Sequence, residues 1–229
     1  MKKSLEIIAK IRSDFPTKFG IPRQSGLAPA LISYIVFEPK FRNKDALRGL
    51  DEYSHLWVLW NFSANERDGE WSPTVRPPKL GGNERVGVFA TRSPFRPSPI
   101  GLSCVKIESI EFTEDLGYVI GVSGADMMDG TPVFDIKPYI PYTDCKTDAK
   151  GSFAQEKSDV RIKVTVPYDL LVKVCEDKRE ALIEVLALDP RPGYKHDDPN
   201  KVYGFEFAGK EVKFVVDNGV LRVIDILDC

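Results

Sequence analysis

The chain has only two histidines and four cysteines in 229 residues, and that scarcity removes several chemistries at once. The histidines are His55 and His196, so no site needing three imidazoles can be built and no metal is expected. Cys104, Cys145, Cys175 and Cys229 stand far apart, none in the two-residue spacing of zinc ligands or redox pairs. Long apolar runs are also missing. Glu6, Lys10 and Arg12 interrupt the start before a secretion-type apolar core can form. No stretch approaches the roughly 18 consecutive apolar residues of a membrane helix, so a cytoplasmic location is expected. A strong charge of one sign is absent too. A net charge of −2 is wrong for coating nucleic acid non-specifically, so any RNA contact must be a local patch.

With 42% hydrophobic and 29% charged residues, the chain can bury a core of its own, with room for one large domain and a small one. Basic residues gather between Arg76 and Arg96, where Arg76, Lys79, Arg85, Arg92 and Arg96 have Glu84 as acidic neighbour.

Short strand-like runs fill the first part: Leu5 to Ile11, Leu31 to Phe37, His55 to Phe62, Arg85 to Ala90, Leu102 to Phe112 and Tyr118 to Val122. Within one, Val105, Ile107 and Ile110 alternate with Lys106, Glu108 and Ser109, with one slip. Many short strands broken by Pro and Gly make the fold mainly β, a barrel or sandwich. Asn43 can cap a helical turn that Gly49 ends. From Pro141 to Asp159 the sequence is polar and reads as a linker or long surface loop. A small α+β unit follows: a strand over Val160 to Val166, then a helix from Tyr168 or Asp177 to Leu188, which Pro190 and Pro192 stop. Two strands, Glu211 to Val216 and Val220 to Ile226, flank the hairpin turn Asp217-Asn218-Gly219. The expected division is 1–145, a linker over 146–159, and 160–229.

Four segments are too rich in Gly, Pro, Arg and Asp for core strands. They are Lys18-Phe19-Gly20-Ile21-Pro22-Arg23-Gln24, Arg76-Pro77-Pro78-Lys79-Leu80-Gly81-Gly82-Asn83, the run from Ala90 to Leu102, and Asp126-Met127-Met128-Asp129-Gly130-Thr131-Pro132. Proline stiffens such segments and glycine leaves backbone open, which suits rigid binding loops. Any one of them alone reads equally as a turn.

In this order, and with Gly49 to Trp60 between them, they resemble the TsaA/TrmO-like family of tRNA N6-adenosine methyltransferases. The resemblance runs closely from Ile7 to Asp144 and more loosely through Leu188-Asp189-Pro190-Arg191-Pro192-Gly193-Tyr194. It implies a β-barrel methyltransferase domain with a small C-terminal domain, working as a homodimer on S-adenosylmethionine. The implied substrate is a threonylcarbamoyl-modified adenosine at position 37 of tRNA. The implied cofactor residues are Pro22, Arg23, Gln24, His55, Leu56, Arg92, Leu102, Asp129, Gly130, Thr131 and Pro132. One departure from the family pattern is Ser98, where Asn is expected between the two prolines. On their own terms, His55 and Leu102 also fit an ordinary strand, Arg23 and Arg92 surface ion pairs, and Asp129 a turn.

The residues agree on the negative side: Gly81, Gly82 and Gly87 lack the spacing of a dinucleotide-binding crevice. Methyl transfer needs mainly orientation, plus a group to take the proton from the acceptor nitrogen, and Asp126, Asp129 and Asp135 are the candidates. For RNA the candidates are Arg76, Lys79, Arg85, Phe95 and Arg96, with Phe95, Arg96 or Tyr139 stacking on a splayed base. Arg92 and Arg96, separated by the stiff Ser93-Pro94-Phe95, are expected to serve cofactor and RNA respectively. A non-catalytic tRNA-binding barrel is the alternative, while a nucleotide hydrolase lacks its phosphate loop.

Overall fold

Alternation of inward apolar and outward polar side chains drives the first half of the chain into strands whose one face must be covered. In the computed structural model, described over residues 4–65, 71–77, 80, 84–152, 161–191 and 198–229, that covering is achieved by closure. The strands are β1 (Ala9–Arg12), β2 (Ile32–Phe37), β3 (His55–Asn61), β6 (Ile100–Thr113), β7 (Gly117–Ser123) and β8 (Pro132–Pro138). Their order is β1-β2-β7-β6-β3-β8, and β8 pairs back to β1 to close a barrel. Leu56, Val58 and Trp60 of β3 face inward with Ile11, Ile35, Val105, Ile120, Val122 and Val133. The slip in the β6 alternation is a bulge: its register with β7 shifts between Ile107 and Ser109.

Between β3 and β6 lies a small ribbon of β4 (Thr74–Val75) and β5 (Val86–Gly87). The strand expected over Arg85 to Ala90 stops after two residues. Val88–Ala90 turns as a 3-10 helix, because the Thr91 hydroxyl donates back to the Val88 carbonyl at 2.8 Å and competes with ladder pairing. The expected cap at Asn43 is present, its side chain accepting from the Asp45 amide at 2.9 Å. The sequence pattern does not announce β8, since proline at both ends and the preceding Asp-Gly-Thr turn hide its alternation. The polar stretch after it opens with a short helix, α1 (Pro141–Asp144), which Trp57 ties down by donating from Nε1 to Asp144 at 2.9 Å.

The second sheet has the order β10-β11-β12-β9, with β9 (Lys163–Thr165), β10 (Asp198–Phe207), β11 (Lys210–Asp217) and β12 (Val220–Asp228). The turn between β11 and β12 has Asn218 at φ 49° and Gly219 at φ 72°, the paired left-handed geometry that an Asn-Gly hairpin selects. Strand β10 is a further element that the pattern does not announce. The expected helix is two, α2 (Tyr168–Leu171) and α3 (Glu176–Ala187). Ala181, Leu182, Val185 and Leu186 of α3 bury against Phe205, Phe207, Val212 and Phe214.

The two cores share a segment. After β1 the chain leaves the barrel, and Phe15, Ala28 and Leu31 are buried in the second core rather than the first. Gly20, at φ 98°, approaches Phe205 so closely that a Cβ there would lie 2.5 Å from the ring. Lys178 pairs with Asp14 at 2.8 Å, and Glu184 accepts from the Ala30 amide at 2.8 Å. Residues 13–31 are therefore held from the side of α3. No helix among the described residues is long and apolar enough to cross a membrane.

Candidate active site

The end of β3, the start of β6 and the turn between β7 and β8 meet at one mouth of the barrel, and the segment 18–24 and the loop 91–96 fold over it. They enclose a cavity of about 630 Å³. Ile21, Phe62, Leu102 and Met128 give it apolar wall, and Lys18, Arg23, Arg92, Arg96 and Asp126 give it charge.

The cations are held by neutral acceptors. Lys18 donates to the Ala64 carbonyl at 2.7 Å and to Asn65 at 3.1 Å, and Arg23 to the Arg191 carbonyl at 2.8 Å. Arg92 donates to Gln24 Oε1 at 2.5 Å, while Gln24 Nε2 donates to the Arg23 carbonyl at 2.6 Å. Arg96 reaches back to the Thr91 carbonyl at 3.1 Å. Among the described residues none of these cations forms an ion pair within 4.0 Å, and the described wall carries four cations against the one carboxylate of Asp126.

Asp126 is the carboxylate of this cavity. Burial pushes its carboxyl above the usual range, against the Ser103 hydrogen bond, backbone amides and the charge of Arg92, which all favour ionisation. Ser103 Oγ donates to its Oδ1 at 2.5 Å, and Trp60 Nε1 donates to Ser103 Oγ at 2.9 Å.

The structure divides the residues expected from sequence. Pro22, Arg23, Gln24, Arg92, Leu102 and Thr131 line the cavity with Asp126. Asp129 and Gly130, in the turn that docks on β1, and Pro132, which opens β8 opposite Lys10, lie outside its wall: Asp129 accepts from the Ser13 amide at 3.1 Å, and the Gly130 amide donates to the Ile11 carbonyl at 2.8 Å. His55 and Leu56 stand at the far end of β3. Leu56 is fully buried in the barrel core, and His55 packs near Tyr139 with ring centroids 6.2 Å apart. Asp135 pairs with Lys137 at 2.8 Å, away from the cavity. Arg92 and Arg96 line one cavity, not two. Arg76 and Arg85 are exposed on the β4–β5 ribbon, where Arg85 donates to Thr74 at 3.0 Å, and Lys79 is outside the described residues. Phe95 is half-buried in the loop between the two arginines. Lys18 and Trp60, inside segments singled out in the sequence but given no role there, join the wall, as do Phe62 and Ser103, which read as plain strand residues. No group of three or more His, Cys, Asp or Glu is placed to hold a metal among the described residues.

A closed antiparallel barrel with an apolar and cationic cavity at one mouth defines a barrel-type binding domain suited to a nucleoside-like ligand and an anionic partner. The chain belongs to the tRNA-methyltransferase O family: the family's N-terminal domain matches residues 10–145 and its C-terminal domain residues 159–229. It is 41% identical to the tRNA (adenine(37)-N6)-methyltransferase of Escherichia coli K12 over 225 residues, 95% of each chain. It is 44% identical to the enzyme of the same name from Eikenella corrodens, over 75% of this chain and 95% of that one. A Pseudomonas aeruginosa relative provisionally named as an S-adenosylmethionine-dependent methyltransferase is 37% identical over 99% of this chain and 98% of its own. A crystal structure of TrmO from Pseudomonas aeruginosa superposes with a TM-score of 0.81 at 33% identity, covering 100% of this chain and 98% of that chain.

Proposed function

We propose that the protein is an S-adenosylmethionine-dependent tRNA methyltransferase acting at N6 of the adenosine at position 37, beside the anticodon. The observation that carries this reading is the cavity. Its volume of about 630 Å³ lies within the range of small-molecule sites and fits an adenosyl amino acid with a nucleobase beside it. When bound, S-adenosylmethionine supplies an activated methyl group, so the chain's own task is orientation. Pro22, Arg23, Gln24, Arg92, Leu102 and Thr131 form the cofactor wall. The Arg92 N–H groups not used by Gln24 suit the cofactor's carboxylate.

The charge at the mouth extends the reading to the substrate. The cofactor is itself net positive, so Lys18, Arg23, Arg92 and Arg96 against Asp126 leave cation in excess even with the site filled. RNA phosphates can balance it, and so can the carboxylate of a threonylcarbamoyl group on the target base. We assign that modified adenosine as the acceptor, met in the cytoplasm where tRNA matures. The barrel with its mouth is the catalytic domain, and residues 160–229 are the smaller one. Ile100 and Leu102 leave apolar surface exposed at the cavity rim, at 38% and 51%, and a homodimer that meets there would close the site.

Calorimetry with S-adenosylmethionine in the presence of a chelator, followed by methyl transfer to tRNA with and without the threonylcarbamoyl group, tests this reading. Saturable binding and transfer only to the modified tRNA are expected. Absence of cofactor binding alongside tRNA affinity would favour a non-catalytic tRNA-binding barrel, and equal transfer to both tRNAs would remove the modified base as the requirement.

A further inference from the structure

Three carboxylates could take the proton that an acceptor nitrogen sheds, and the structure separates them. Asp129 is engaged by Arg12 at 3.4 Å and by the Ser13 amide, and Asp135 by Lys137. Asp126 opens into the cavity that would hold the reacting groups.

Its setting has a direction. An indole nitrogen can only donate, so the hydrogen bond from Trp60 Nε1 occupies a lone pair of Ser103 Oγ. A serine hydroxyl has a single proton, and with the indole on the acceptor side that proton points to Asp126 Oδ1 at 2.5 Å. The relay runs one way, from Trp60 through Ser103 to Asp126, and holds the carboxylate as an acceptor. Trp60 is fixed in turn, because its ring lies where a Cβ on Gly101 of the neighbouring strand would stand, 2.2 Å away.

We propose that Asp126 accepts the proton released by the acceptor nitrogen, with Ser103 and Trp60 as positioning residues that hold its carboxyl oxygen as an acceptor aimed at the cavity. This rests on the methyltransferase reading above. As the new nitrogen–carbon bond forms and the carbon–sulfur bond breaks, the nitrogen's proton passes to the Asp126 carboxylate and afterwards to water. Two opposed effects tune the group for the work. Burial makes it a stronger base than an ordinary aspartate, while the Ser103 hydroxyl and the charge of Arg92 act in the opposite direction and favour the ionised form. The charged groups sharing its cavity are Lys18, Arg23, Arg92 and Arg96, and of these Arg92 bears on it directly.

The test combines carboxyl-carbon NMR of labelled aspartate, single-turnover methyl transfer to tRNA across pH, and calorimetry with S-adenosylmethionine. Asp126→Asn should slow transfer at neutral pH by about 10²- to 10⁴-fold, far more than it changes cofactor affinity. In the NMR titration Asp126 should titrate above the other aspartates, and Ser103→Ala should move it further up. The acid limb of the rate profile should move with it, and Ser103→Thr should restore both. Trp60→Phe leaves the hydroxyl but frees its rotation, and should give a smaller shift in the same direction. Wild-type transfer in Asp126→Asn would overturn the proposal, as would a loss explained entirely by weaker cofactor binding, which would make Asp126 a cofactor ligand. A slower Ser103→Ala enzyme with an unmoved Asp126 titration would overturn the positioning role. Failure of the methyltransferase reading itself would show differently, as a wild-type protein that neither binds the cofactor nor methylates tRNA.

Discussion

Arg23 donates from Nη2 to the main-chain carbonyl of Arg191 at 2.8 Å, joining the wall of the cavity to the segment that follows α3. Arg191 is only 6% exposed, and its guanidinium is fixed by Asp189 through two bonds of 2.8 Å, with Asp189 itself at φ 51°. If the carbonyl is the anchor of Arg23, then Arg191→Ala weakens cofactor binding through Arg23 and not by itself. Calorimetry on Arg23→Ala, Arg191→Ala and the double variant should give a coupling energy of about 0.5–3 kcal/mol. Additive losses in folded proteins would break the link.

The raised carboxyl of Asp126 makes a stability prediction with a definite sign. A carboxyl whose folded pKa exceeds its unfolded one costs stability that builds as pH rises from the ordinary aspartate range to the folded value, because the unfolded chain ionises freely while the folded one must bury the charge. Asp126→Asn should therefore raise Tm near pH 7, with the gain vanishing below the ordinary aspartate range, where both forms are neutral. Thermal scans at several pH values check this, and a variant less stable at neutral pH would contradict it.

Lys18 and Arg96 sit at the mouth without carboxylate partners among the described residues. Replacing both by Ala should raise the KM for tRNA and lower the slope of log affinity against log salt by about 0.7 for each phosphate that is no longer neutralised. Arg96 also braces the loop that carries Arg92, so Arg96→Ala alone should weaken the cofactor too. Filter binding across a salt series, with an unchanged slope, would exclude them from the RNA interface.

Gly101→Ala would drive a Cβ into the Trp60 ring, where the nearest atom stands 2.2 Å away. Overpacking of this kind costs about 1–3 kcal/mol, and the displaced indole should release Ser103. Urea denaturation should show the loss of stability, and indole NMR the loss of the Trp60 hydrogen bond.

What could be read from the sequence depended on how local the governing interaction is. Periodicity found β2, β3, β6 and β7 to within a few residues, because an inward face is written every second position. The Asn-Gly hairpin and the Asn43 cap were legible for the same reason, each being settled within a few residues. Strands β8 and β10 were not, since Pro132 and Pro138 disguise the first, while Pro199, Gly204 and a register shift between Asp198 and Tyr203 break the alternation of the second. The shared segment was invisible too: nothing near Phe15 says that it will bury beside α3. At the site, the loop motifs pointed to Arg23, Gln24 and Arg92, but Trp60 and Ser103 looked like plain strand residues. Their part arises only when β3 pairs with β6 and both meet the turn carrying Asp126.

The central claim is methyl transfer to N6 of the adenosine beside the anticodon, and mass spectrometry of tRNA nucleosides tests it most directly. Nucleosides from a strain lacking the protein should lose the methylated form of threonylcarbamoyl-adenosine, with the unmethylated form rising to match. Wild-type protein should restore it, and Asp126→Asn should not. An unchanged nucleoside profile in the deletion strain, or full restoration by protein unable to bind S-adenosylmethionine, would contradict the claim.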